Sequence, residues 1–200
     1  MKIISSMAAA AIALSGTMAA AAGDADVKAW VADHPDGTRA TVAEVVVEAN
    51  QTQAWQAITT AEGWKSWAVP FAHFDSLRLG AVIETSYAPN ARVGDANNIR
   101  NRVLAYLPER MLSIQAFDAP PGFKHPELLK DTFTVIELEV VDPTHTRVRL
   151  TGCGYRSGQA FQEMQQFFLE GNAWTLGQLA KRSREGPVDW TKARPPVATN

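Results

Sequence analysis

The sequence predicts an α+β domain in which a curved antiparallel sheet wraps around one long C-terminal helix. Three observations carry that expectation. Residues 71–154 break into about six short strand-like segments, punctuated by Gly, Pro and Asn turn signals. Residues 157–182 repeat apolar side chains at helical spacing. Only a hairpin and one or two short helices come before the strands, so the last helix is the element left for the sheet to close upon.

The length of 200 residues, 46% of them hydrophobic and 20% charged, suits a single domain with a real core. The first 22 residues are read apart from it. Lys2, the small-residue-rich apolar run "IISSMAAAAIALSGTMAA" and the alanines at 20–22 form the pattern of a signal peptide cleaved after Ala22. A membrane anchor would need about 20 strongly apolar residues, and Ser, Thr and Gly dilute this run. The mature chain is therefore expected in a bacterial periplasm or outside the cell, with no membrane span. The domain is expected over 23–182, with its core in 41–182, and 183–200 as a tail holding Gly, three prolines and Trp190.

The first element is a hairpin, "VKAWVADHPDGTRATVAEVVVEA". In its turn Pro35 presets φ, Asp36 bonds back to the backbone and Gly37 accepts positive φ. Ala43, Val45, Val47 and Ala49 then alternate with Glu44 and Glu48. A short helix begins at Asn50 or Thr52, with Trp55 and Ile58 inward. Gly63 interrupts it, and Trp64 and Trp67 follow before Pro70 ends the segment. The strands are "FAHFDSLRL", "AVIETSYA", "NIRNRVLAYL", "RMLSIQAF", "TFTVIELEVV" and "TRVRLTGCG". The last two fold around "DPTH", which puts Glu137 and Glu139 opposite Arg147 and Arg149 on a solvated face. The long helix starts at a Ser157 cap and carries Phe161, Met164, Phe168, Thr175 and Leu179 on one stripe. Gly171, on that stripe, is read as permitting the close approach of another element, and Asn172 as an inward amide in need of a partner.

Several chemistries are disfavoured. A net charge of −2 with no basic run gives no footprint for nucleic acid. The single Cys153 excludes an intramolecular disulfide and reads as a small residue at a strand end. The four histidines lack paired ligand spacing, so no metal or other cofactor is expected. His73 and Asp75, two apart on a strand, read as a structural or rim contact. No nucleophile-elbow, P-loop or dinucleotide motif occurs.

Four stretches resemble a known superfamily over roughly 41–182: "VVVEANQTQAWQAITTAEGWKSW", "NRVLAYLPERMLSIQ", "FTVIELEVVDPTHTRVRLTGCGY" and "FQEMQQFFLEGNAWTLGQL". The chain is similar to START-like, or SRPBCC, proteins with the helix-grip fold. Its closest resemblance is to the branch named for activators of the heat-shock-protein-90 ATPase. The resemblance implies a small hydrophobic ligand (lipid, sterol, polyketide or hormone) held between sheet and long helix. Some members of the superfamily are cyclases, aromatases or hydrolases acting in that cavity. The export signal sets this chain apart from the cytosolic cochaperone, so a chaperone-activating role is not expected.

Binding of a hydrophobic or amphipathic molecule is the first reading. Trp67, Phe74, Tyr87, Gln115, Phe117, Tyr155, Met164, Phe168 and Asn172 are the candidate liners. Trp55 and Trp67 also read as core plugs, with Trp64 at the rim. "APPGFKHPELLK", with Phe123, is a candidate lid. An enzyme of the cyclase, dehydratase or hydrolase kind is the alternative, with Arg78, Glu84, Arg100 and Tyr155 available as acids or bases. A third reading is an envelope structural or interaction protein whose cavity is filled by its own side chains.

Overall fold

The computed structural model describes residues 27–192, and the expected export signal lies outside them. Eight strands form one antiparallel sheet: β1 Lys28–Asp33, β2 Arg39–Val47, β3 Phe71–Phe74, β4 Val82–Ser86, β5 Ile99–Leu107, β6 Met111–Asp118, β7 Phe133–Asp142 and β8 His145–Tyr155. Their order is β1-β2-β8-β7-β6-β5-β4-β3. Helices α1 (Gln51–Thr59) and α2 (Ala61–Lys65) join β2 to β3, and α3 (Gln159–Glu185) follows β8. α3 packs chiefly on β2, with further contacts to β1 and β8. This is the expected helix-grip architecture.

Local chemistry explains the joints. In the first hairpin Gly37 has φ 83°, and Asp36 accepts the Thr38 backbone and hydroxyl protons. In the β7–β8 turn Asp142 accepts the backbone N–H groups of Thr144 and His145. The Thr144 N–H, aided by the His145 ring, holds the Asp142 carboxyl at about 2. α1 begins with a complete capping box: Asn50 Oδ1 accepts from the Gln53 N–H at 2.9 Å, and Gln53 Oε1 accepts from the Asn50 N–H at 3.0 Å.

Gly63 does not break a helix as the sequence suggested; it lies inside α2. A Cβ there would sit 2.3 Å from the Gln56 carbonyl oxygen, so glycine is what lets α2 press onto α1. β3 also stops sooner than expected, at Phe74. The chain bends from Asp75 and returns through Gly80, at φ 76°, whose N–H bonds the Val103 carbonyl.

Ser157 does not cap α3. The N-cap is Gly158, at φ 120°, which offers no side chain to bond the first turn. α3 also runs past Arg182 to Glu185, so the domain boundary expected at 182 falls inside the helix. The chain beyond it docks: the Trp190 indole donates to the Lys65 carbonyl at 2.7 Å, and the Val188 N–H to the Ser66 carbonyl at 2.9 Å.

The register sorts the side chains onto two faces. Glu44, Arg149 and Glu137 lie side by side across β2, β8 and β7, on the face turned away from α3. Arg149 bonds Glu44 there at 2.6 Å, and Arg147 bonds Glu139 at 2.7 Å. The pairs lie on the solvated face, and Glu44, 16% exposed, also keeps Arg147 at 3.5 Å as a second partner. Arg149→Ala is expected to change unfolding free energy by less than about 1 kcal/mol, read from urea midpoints.

Candidate ligand-binding site

The face turned toward α3 carries the opposite chemistry. Ala43, Val45 and Val47 of β2 are buried there with Val148, Leu150, Ile136, Leu138, Leu112 and Ile83. Leu176, Leu179 and Ala180 of α3 complete this main cluster. A second, smaller cluster lies toward the start of α3. It consists of Leu129, Tyr155 and Met164, with Ala116, Phe123, Phe161 and Phe168 packed against it.

Between the two clusters α3 is not packed down. Residues 171–175 are half-buried throughout, while Met164 before them and Leu176 and Leu179 after them are buried. Gly171 is seven residues past Met164 and four before Thr175, so all three share one helical face. A Cβ on Gly171 would meet nothing within 4 Å. The sequence reading expected a close approach here, and the structure shows open space instead.

Polar groups border this interval. Tyr87, just past β4, is 43% exposed, and its phenol lies near Thr175. Burial of that phenol pushes its pKa up, and the Thr175 contact opposes the shift in part. Thr175 in turn donates to the Gly171 carbonyl at 2.7 Å. Asn101 of β5 pairs in register with Ile83 and Ala116, so it lies on the α3 side of the sheet. Neither Asn101 nor Asn172 has a side-chain hydrogen bond among the described residues. Gln165 Nε2 of α3 is buried with no partner. A buried amide without a partner costs about 1–3 kcal/mol, a cost that a ligand or ordered water would relieve.

The expected liners divide into three groups. Tyr87, Phe168 and Asn172 are half-buried or exposed near the interval, on α3 or just past β4, whereas Phe74 is half-buried against Trp64 beside the main cluster. Trp67, Tyr155 and Met164 are buried plugs. Trp67 is 2% exposed and donates to the Ala57 carbonyl at 2.9 Å; Trp64 donates to the Ile58 carbonyl at 2.7 Å. Both indole N–H groups are thus used by α1. The two rings tilt against each other at 6.0 Å and form core packing, with no open platform. Tyr155 lies over Gly152, where an added Cβ would be 3.1 Å from its hydroxyl and 2.6 Å from Thr41 Oγ1. Burial pushes the Tyr155 phenol well above its ordinary value.

Gln115 and Phe117 make the third group, and they are a correction. Ile114 and Ala116 face α3, so by alternation their odd-numbered neighbours face away. The Gln115 amide is spent on the Leu129, Lys130 and Thr132 carbonyls. Phe117 is 41% exposed under the Arg102 guanidinium, 4.8 Å from its ring centre. Asn101 was missed. Its signal was present as a polar residue two positions before Val103 on an apolar strand face.

The segment between β6 and β7 contains a short 3-10 helix, Pro126–Asp131, and lies across the first half of α3. Phe123 packs edge-on against Phe167 at 5.7 Å, and His125 Nε2 meets Glu163 Oε2 at 2.9 Å. This is where a lid would sit.

The acid and base candidates do not gather at the interval. Arg78 is exposed. Glu84 is 4% exposed but lies on the outer face, in register with His73 and Arg100. It accepts from the Gly94 N–H and Asn98 Nδ2, each at 2.8 Å, and meets Arg100 at 3.2 Å. Arg100 also bonds Asp118 and the Asp95 carbonyl. Glu84 is therefore the anchor that folds the β4–β5 loop onto the sheet. Glu84→Ala leaves the Asn98 amide and Arg100 short of a buried partner and is expected to cost about 3 kcal/mol, measured by urea unfolding. His73 and Asp75 make an exposed contact at 3.0 Å. Cys153 is half-buried, and burial, aided by Glu137, raises its pKa and keeps it a thiol.

No family model matches the chain, and no curated protein matches it. Solved structures do. CalU16 from Micromonospora echinospora superposes with a TM-score of 0.57 at 19% identity, over 82% of this chain and 87% of its own. The Aha1 dimer from Colwellia psychrerythraea gives 0.51 at 20% identity, over 72% and 96%. Norcoclaurine synthase from Thalictrum flavum, solved in complex with dopamine and hydroxybenzaldehyde, gives 0.51 at 10% identity, over 77% and 92%. At these identities the likeness shows the fold alone: an antiparallel sheet closed by a long C-terminal helix.

Proposed function

We propose that this helix-grip chain binds a hydrophobic or amphipathic small molecule between its sheet and α3, and that it does so after export to the periplasm or beyond. The observation that carries the reading is the open space at Gly171, between two packed clusters and bordered by Tyr87, Thr175, Asn172 and Asn101. Space left beside a helix between two packed clusters is room that a small apolar molecule could fill. A mostly apolar space with a few polar groups at its border is the usual form of a ligand site.

The fold likeness adds support, since the norcoclaurine synthase structure holds two small aromatic molecules. The export step rests on the residue pattern at 1–22. Catalysis gains nothing from the geometry: Glu84 and Arg100 are committed to the outer face, and Tyr155 is a buried phenol held protonated.

Thermal denaturation of the mature protein against a panel of lipids, sterols and aromatic polyketides tests the proposal. A ligand present at 100 times its Kd is expected to add about 2.7 kcal/mol, a rise of several degrees in Tm. No shift from any member of the panel would count against binding and in favour of a purely structural domain.

A further inference from the structure

The two faces of the sheet differ in more than polarity. Charged residues cross the outer face in rows, as Glu44–Arg149–Glu137 and His73–Glu84–Arg100. On the face toward α3, the corresponding positions of β2, β8, β7, β6, β5 and β4 carry no ionisable side chain over 41–47, 146–152, 134–138, 112–116, 101–103 and 81–85. The inward positions of α3 from Met164 to Leu176 carry none either; Glu163 and Glu170 are exposed. Among the described residues, the titratable groups at and beside the interval are the Tyr87 and Tyr155 phenols, which are uncharged at neutral pH, and burial moves both further from ionising. The polar groups that remain are neutral: the amides of Asn101 and Asn172 and the hydroxyls of Tyr87 and Thr175.

An ion moved into such surroundings would lose its hydration and find no opposite charge. A hydroxyl, carbonyl or amide would lose less, and the two unpartnered amides can donate to it or accept from it. We infer that the interval selects uncharged ligands, an apolar ring or chain carrying a neutral hydrogen-bonding group, and discriminates against ionised analogues of the same skeleton. This inference rests on the binding reading above and deepens it to a ligand class.

A matched pair of fluorescent probes tests it. N-phenyl-1-naphthylamine is neutral, and 8-anilinonaphthalene-1-sulfonate is the same skeleton with a fixed negative charge. Both are titrated into the mature protein and into Gly171→Leu, with circular dichroism to verify that the variant is folded. The neutral probe is expected to bind at least tenfold more tightly than the sulfonate, and Gly171→Leu is expected to abolish that preference. Equal or tighter binding of the sulfonate, weakened by Gly171→Leu, would overturn the selectivity while leaving the binding site standing. A preference that survives in Gly171→Leu would show that the discrimination arises elsewhere on the surface, and would overturn the inference. If neither probe binds, the binding reading fails and takes the inference with it.

Discussion

Gly171→Leu is expected to make the protein more stable and unable to bind its ligand. Glycine inside a helix costs about 0.5–1 kcal/mol relative to a good helix former, so leucine restores most of that. The new side chain starts without a clash, because a Cβ at 171 meets no atom of a neighbouring element within 4 Å. The Thr175 bond to the 171 carbonyl uses backbone and survives the change. Leucine would project into the interval between Phe168 and Thr175 and occupy the space a ligand would take. Urea unfolding should show a gain of about 0.5 kcal/mol or more, while affinity for any ligand found falls at least tenfold. Substitutions that improve folding and remove function are the signature of a site kept open at the expense of stability. Unchanged affinity in a stabilised Gly171→Leu variant would place the ligand elsewhere.

Trp67→Ala is expected to have the largest effect on stability, about 3–5 kcal/mol. The side chain is 2% exposed and sits where α1, α2 and the sheet meet. Its removal opens a cavity and leaves the Ala57 carbonyl without its donor. That loss is comparable to a large share of the 5–15 kcal/mol typical of a whole domain. Trp64→Ala provides the contrast. Trp64 is half-buried at the edge of the same cluster, stacked edge-on with Phe74 at 5.9 Å, so its loss should cost less than half as much. Urea midpoints for the two variants check the ranking. An equal cost for both would mean that the pair works as a single unit and that the burial difference does not set the energetics.

Much of the fold is legible in the residues because the local signals agree with one another. The turn chemistry of "HPDG" and "DPTH", the alternation of Glu and Arg with Val and Leu, and the stripe on α3 each point to the element that forms. The joints were harder. Gly63 reads as a break in one dimension, and only its contact with the Gln56 carbonyl shows that it permits packing. The start of α3 depends on Gly158 adopting a positive φ, which Ser157 beside it obscures.

The site was legible only in part, for a reason specific to sheets. A side chain's face depends on strand register, and a slip of one residue inverts it. Irregular pairing between Arg100 and Asn101 and between Val103 and Ala105 on β5 marks where the count along the strands shifts. Gln115 and Phe117 therefore lie on the outer face of neighbouring β6, and Asn101 on the face toward α3. α3 has no such ambiguity, and Phe168, Asn172 and Thr175 fall near where their periodicity puts them. Gly171 reads as admitting a neighbour, and the structure shows space there instead, since a missing side chain looks the same in both cases.

The most direct test of the central claim is native mass spectrometry of the protein purified from its own host, followed by solvent extraction of whatever it carries. The predicted result is one small, uncharged, largely apolar molecule at fixed stoichiometry, absent from Gly171→Leu prepared in the same way. A protein that emerges clean in both forms, and that no lipid or aromatic compound stabilises, would contradict the claim and leave the interval under α3 as an unfilled flaw in a structural domain.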